Sequence, residues 1–142
     1  MLQDLYRQLI MEHAKNKRNN RELEGEHTHY KNPTCGDVMT LYWKIDEYGK
    51  IEDISFIGEG CSISMASCSI MTELVRGKTK KEIHEKREAM EKLIRSGERP
   101  DDSIDLGDAL SLEGVHKLRA RHNCALMPWQ ALDKAILNDT ES

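Results

Sequence analysis

Four side chains in this sequence are candidate anionic ligands for one metal: Cys35, Asp37, Cys61 and Cys124. Cys35 and Asp37 flank a glycine in Asn32-Pro33-Thr34-Cys35-Gly36-Asp37. A glycine between residues i and i+2 lets the backbone fold tightly enough for both to reach one ion. Cys61 follows Gly58-Glu59-Gly60, and Cys124 follows Arg121-His122-Asn123. Each of these two cysteines stands at the predicted start of a helix, where the backbone dipole favours a thiolate. Asn123 is expected to cap the second of those helices. Three thiolates and a carboxylate suit a tetrahedral zinc or an iron–sulfur unit. The chemistry then depends on whether the metal is structural or one thiolate leaves it to react. No Cys-x-x-Cys is present, so spacing alone leaves open a second reading, in which the cysteines are buried and inert.

The other candidate ligands read as ordinary residues. Cys68 lies two turns beyond Cys61 among Ala66, Ser67, Ile70 and Met71 and reads as a small core residue. His27 and His29 alternate on a strand and are expected at the surface. His84 and His116 lie in charged helical contexts and are expected in solvent. His122 is two residues before Cys124 and is a candidate to support the ligands rather than bind the metal.

These residues need elements to hold them. Leu2, Leu5, Tyr6, Leu9, Ile10 and His13 recur at helical spacing and predict an opening amphipathic helix. Lys15 to Gly25 reads as a polar loop, and its basic cluster, Lys15 to Arg21, as a solvated helix end. Val38 to Ile45 alternates as a strand, with Met39, Leu41, Trp43 and Ile45 on one face. A turn at Asp46 to Lys50 leads to a second strand, Ile51 to Ile57, and Thr28 to Lys31 predicts a third. A helix follows with Ile63, Ala66, Ser67, Ile70, Met71 and Leu74 in one stripe, stopped by Gly77. Thr79-Lys80-Lys81-Glu82 is a capping box for another helix, which ends by Ser96-Gly97. Glu98 to Asp105 is a polar connection, and Leu106 to Leu118 reads as short helical pieces. The last helix places Leu126, Trp129, Leu132 and Ile136 on one face, and Pro128 must lie in its first turns or break it. The order predicts an α+β fold, a small three-stranded antiparallel sheet packed with several α-helices, in one domain spanning 1–142.

Composition narrows the class of function. The chain has 142 residues, with 21 basic and 25 acidic side chains. That balance argues against a nucleic-acid binder. No apolar run approaches the roughly 20 residues needed to span a bilayer. The start, Met1-Leu2-Gln3-Asp4-Leu5, is charged and lacks a continuous apolar stretch. Reduced thiols in the cytoplasm are therefore expected, not a disulfide framework.

The segments Leu5-Tyr6-Arg7-Gln8-Leu9-Ile10 with His13, Asn32 to Asp37, Gly60-Cys61-Ser62-Ile63-Ser64, and Arg121 to Cys124 with Trp129 together resemble the U-type iron–sulfur assembly family. Within it, the chain is most similar to the SufU branch, the zinc-dependent sulfur-transfer proteins. The scaffold (IscU-type) branch has a histidine immediately before its third ligand cysteine. Asn123 stands there in this chain, where the transfer branch more often has lysine, and Arg121 matches that branch's arginine. The connection around Ser96 to Asp105 fits the extra segment of that branch.

The resemblance implies that Cys35, Asp37, Cys61 and Cys124 bind Zn2+. It also implies that Cys35 accepts sulfur from the persulfide of a SufS-type, pyridoxal-phosphate cysteine desulfurase. In that family a desulfurase histidine takes the acceptor's place on the zinc as the two proteins dock. Arg121 is then a catalytic residue, supplying positive charge and steadying Asp37; the plain alternative is a surface arginine. Downstream iron–sulfur assembly proteins are implied as further partners. Two alternatives stand beside the transferase: a scaffold holding a transient [2Fe-2S] cluster on the same ligands, and a structural-zinc interaction module.

Overall fold

The computed structural model describes residues 2–34 and 36–137. Cys35, one of the expected ligands, lies outside the described residues. The chain runs α1 (Leu2–Lys15), β1 (Glu26–Lys31), β2 (Val38–Ile45), β3 (Ile51–Glu59), α2 (Ser62–Val75) and α3 (Lys80–Ser96). A 3-10 helix at Gly107–Lys117 and a short 3-10 turn at Arg119–Arg121 lead into α4 (His122–Leu132), which ends in a π-helical stretch at Asp133–Leu137.

The three strands form one antiparallel sheet in the order β1-β2-β3. The alternation in β2 sends Met39, Leu41 and Trp43 into the core. Ile45 was expected beside them but is 40 % exposed. The register slips between Lys44 and Ile45, and a slip of one residue turns a side chain to the opposite face. At the turn, Asp46 Oδ1 accepts the Tyr48 and Lys50 N–H groups, and Gly49 takes a φ of 79°. β1 begins two residues earlier than predicted, at Glu26.

α2 is the centre of the molecule. The predicted single stripe is too narrow, since every residue from Ser64 to Thr72 is buried. A helix covered on all sides needs its polar side chains satisfied from within. Ser67 Oγ donates to the Ala125 carbonyl of α4 at 2.5 Å, and Thr72 Oγ1 donates to the Ser69 carbonyl at 2.7 Å. Ser69 Oγ meets His13 Nδ1 of α1 at 2.8 Å. Leu2 and Leu5 of α1 are about half exposed, and the helix docks instead through Ile10 and the buried His13.

The capping box of α3 forms as predicted, and Gly97 closes the helix in the left-handed conformation. Pro128 lies within α4, and the helix continues past it without a break. Having no N–H, it cannot donate to the Cys124 carbonyl four residues back. The basic loop after α1 is tied down: Arg21 pairs with Asp53 at 3.0 Å, and Asn20 bridges to Phe56 of β3.

Candidate metal centre

β2, α2 and α4 begin at the same end of the molecule, and each brings one donor there. Asp37 precedes β2, Cys61 precedes α2, and Cys124 is the third residue of α4. One donor atom from each lies within 4.8 Å of the other two. Asp37 and Cys124 are buried, and Cys61 is partly exposed. Two thiols and a carboxylate converging at this distance are donors of the types zinc takes. Cys61 and Cys68 are free thiols.

Local structure explains each position. Cys61 is the N-cap of α2, and its Sγ accepts the Ser64 N–H at 3.5 Å. Ser64 Oγ donates a short hydrogen bond to Asp37 Oδ2 and lies 3.5 Å from Cys61 Sγ. Ser64 therefore orients two donors from one side chain, as groups around a metal site do for its ligands. A Cβ on Gly60 would stand 2.6 Å from Asp37 Cγ, so only glycine leaves room for that carboxylate. Asn32 is 1 % exposed; its Nδ2 approaches Cys124 Sγ at 3.9 Å, and its N–H donates to the Asp37 carbonyl at 2.8 Å.

Neither Ser64 nor Asn32 was singled out in the sequence. Both stand inside the recognised segments. Ser64 is moreover three residues after the cap, where the first free helical N–H is satisfied.

Arg121 is exposed on the rim of the site. Its pKa is raised above the ordinary guanidinium value first by hydrogen bonding to Cys124 and then by the charge of Cys61. Asn123 is not the cap of α4. The helix already starts at His122, and Arg121 occupies the capping position without a side-chain capping hydrogen bond.

The remaining candidates separate from the site. His122 is buried, bonds the His116 carbonyl at 2.8 Å and stacks on the His116 ring at 6.2 Å. It thus packs against the 3-10 helix rather than supporting the ligands. His116 is not solvated as expected, since its Nδ1 meets the Ile94 carbonyl at 3.1 Å. His27, His29 and His84 are exposed. Cys68 is fully buried against Met39, and burial first, then the charges of Asp37 and Cys61, push its thiol far up. It stays protonated and inert. Among the described residues, no helix is long and apolar enough to cross a membrane.

Comparison with known proteins gives this centre a family. The chain is 45 % identical to the zinc-dependent sulfurtransferase SufU of Bacillus subtilis (strain 168), over 97 % of this chain and 93 % of that protein. It is 41 % identical to the iron–sulfur cluster assembly scaffold protein IscU of Streptococcus pyogenes serotype M1, over 95 % of this chain and 84 % of that one. In structure it is similar to a scaffold protein for the SUF system, described as putative, from Fervidobacterium islandicum AW-1. That match has a TM-score of 0.82 at 36 % identity and covers 89 % of this chain and 93 % of that one. Residues 5–137 match the family described as the NifU-like N terminal domain, and the chain belongs to that family.

Proposed function

We propose that this protein is a zinc-dependent sulfurtransferase of iron–sulfur cluster biogenesis, with Cys35 as the sulfur acceptor. The observation that carries the reading is the convergence of Asp37, Cys61 and Cys124, with Arg121 directed at the two thiols. Cys35 is two residues from Asp37 in the chain and supplies the fourth donor. Zinc bound there keeps the thiolates deprotonated at neutral pH and shields them from oxidation. The similarity to SufU supports zinc as the metal.

The chain's own residues account for the rest. Ser64 holds Asp37 and Cys61 in place. Arg121 offsets negative charge on the sulfur side and remains accessible to a partner. The partner is a SufS-type pyridoxal-phosphate cysteine desulfurase, met in the cytoplasm, and iron–sulfur assembly proteins take the sulfur onward. In the transfer, the Cys35 thiolate attacks the outer sulfur of the desulfurase persulfide. A sulfur–sulfur bond forms to Cys35, the bond to the desulfurase cysteine breaks, and that cysteine leaves as a thiolate. No net oxidation occurs, as in thiol–disulfide exchange.

A scaffold function is the second reading, favoured by the relatives described as scaffolds. Against it, Asn123 stands where the scaffold branch has histidine, and its side chain bonds Thr34, Arg95 and Gln130. Metal analysis of protein purified with and without oxygen, together with desulfurase turnover, decides between them. The transferase holds about one zinc per chain, needs it for turnover, and acquires a persulfide on Cys35. Zinc-free protein with full turnover and a stable coloured cluster after anaerobic iron addition would establish the scaffold.

A further inference from the structure

Asn123 has no role in the centre as described so far, yet its amide is engaged at both ends. Nδ2 donates a short hydrogen bond to Thr34 Oγ1. Oδ1 accepts from Arg95 Nη2 at 2.9 Å and from Gln130 Nε2 at 3.2 Å. Gln130 is itself held, since its Oε1 accepts the Tyr30 hydroxyl of β1 at 2.9 Å. Arg95 comes from the last turn of α3, and Gln130 from two turns further along α4. Two helices and a strand thus converge on one small amide whose partner in the ligand-bearing loop, among the described residues, is Thr34.

Thr34 is joined directly to Cys35. Its N–H donates to Asn32 Oδ1 at 3.0 Å, so one asparagine holds its backbone and another its side chain. Asn32 and Asn123 both adjoin Cys124, the first through space and the second through the chain. On the far side of Cys35, Asp37 is anchored by Ser64 and by the Asn32 N–H.

We propose that Asn123 is a positioning residue for sulfur acceptance. By holding Thr34 against the start of α4, it sets where the peptide carrying Cys35 begins. Arg95 and Gln130 fix Asn123 in turn. The inference rests on the reading of Cys35 as the acceptor. A single neutral hydrogen bond at the surface adds little to net stability, whereas small displacements of a reacting atom slow a reaction by orders of magnitude. The contact therefore governs the transfer step more than folding.

The test uses zinc-loaded full-length protein in four variants: Thr34→Val, Thr34→Ser, Asn123→Ala, and Thr34→Val with Asn123→Ala. Valine keeps the shape of threonine without its acceptor oxygen, and serine keeps the oxygen. Persulfide formation on Cys35 is followed against desulfurase concentration. Thr34→Val and Asn123→Ala are expected to slow transfer at saturating desulfurase by about tenfold, with the half-saturating concentration and zinc content unchanged. The double variant is expected to be no slower than either single one, and Thr34→Ser to approach wild type. Wild-type transfer in Thr34→Val, multiplied effects in the double variant, or slowing that tracks zinc loss would each overturn the proposal. Mapping the persulfide separates the two levels of inference, because sulfur on another residue removes the acceptor reading itself. In that case the rate of Cys35 alkylation by iodoacetamide, expected to rise several-fold in both single variants, still decides whether Asn123 positions the loop. Unchanged alkylation would overturn it.

Discussion

α2 carries two polar clusters, and they are built on opposite plans. At its start, Cys61 meets Asp37 and Cys124, three groups whose charged forms are all negative. Two turns on, Ser69 meets His13, whose other ring nitrogen reaches Asp108 at 2.9 Å, while Arg18 lies against the same ring. The second cluster balances itself: hydroxyl, imidazole, carboxylate and guanidinium each find a complementary group, and the outcome is a pin joining α1, α2 and the 3-10 helix. In the first, donors of one sign gather, and the exposed Arg121 is the cation that faces the thiols among the described residues. Satisfied polar clusters hold a fold together. Clusters of like charge must be completed by something else, which is the mark of a site.

The largest test of this contrast removes donors at the first cluster. Asp37→Ala with Cys61→Ala is expected to drop zinc from about one per chain to nearly none, abolish desulfurase stimulation, and lower the thermal midpoint because separate chain segments meet at the metal. Zinc content that stays near one would refute the centre as described.

Next in size is the contrast between thiols. Cys35→Ala is expected to abolish desulfurase stimulation. Cys68→Ser, in the same helix as Cys61 but fully buried, is expected to retain activity within about twofold while losing about 1–3 kcal/mol of stability for a buried hydroxyl. Equal losses of activity would mean the reactive thiol is misassigned.

Ser64→Ala sharpens the site further. It removes the hydroxyl shared by Asp37 and Cys61, so zinc affinity measured by chelator competition is expected to fall about 10–100-fold, with the site still filling at excess zinc. An unchanged affinity would leave Ser64 as packing only.

His13→Ala tests the balanced cluster and should have the opposite signature. It is expected to cost about 1–3 kcal/mol, through Ser69 left without its imidazole partner, at unchanged zinc affinity. Zinc loss in this variant would erase the distinction between the two clusters.

The smallest effect lies away from both. The Glu82 carboxyl sits below the usual glutamate range because the Thr79 backbone N–H, and then its hydroxyl, donate to it. A depressed folded value means that the capping contribution is present above the unfolded carboxyl pKa, about 4.3, and is lost as pH falls through the folded value. Thr79→Ala should slightly lower the thermal midpoint at pH 7 and flatten its decline below pH 4. A decline identical to wild type would show that the Thr79 hydroxyl adds nothing to acid sensitivity.

Much of this was legible from local pattern. Alternation located β2 to the residue, and Thr79 to Glu82 located the start of α3, because both signals arise from contacts within a few residues. Asp37, Cys61 and Cys124 were nameable as donors because so few residue types bind zinc. Other features depend on contacts distant in sequence. Ile45 leaves the core through a register slip against β3. Asn123 forgoes the helix cap because the preceding 3-10 turn has already opened α4, which frees its amide for Thr34, 89 positions away. His122 turns to His116, and Arg121 to the thiols, through contacts that the local sequence does not record. The sequence by itself thus determined the elements and the kinds of donor. Only the tertiary structure decided which side chains face one another, since that depends on how α2, α4 and the loop before β2 pack, and no local signal records it.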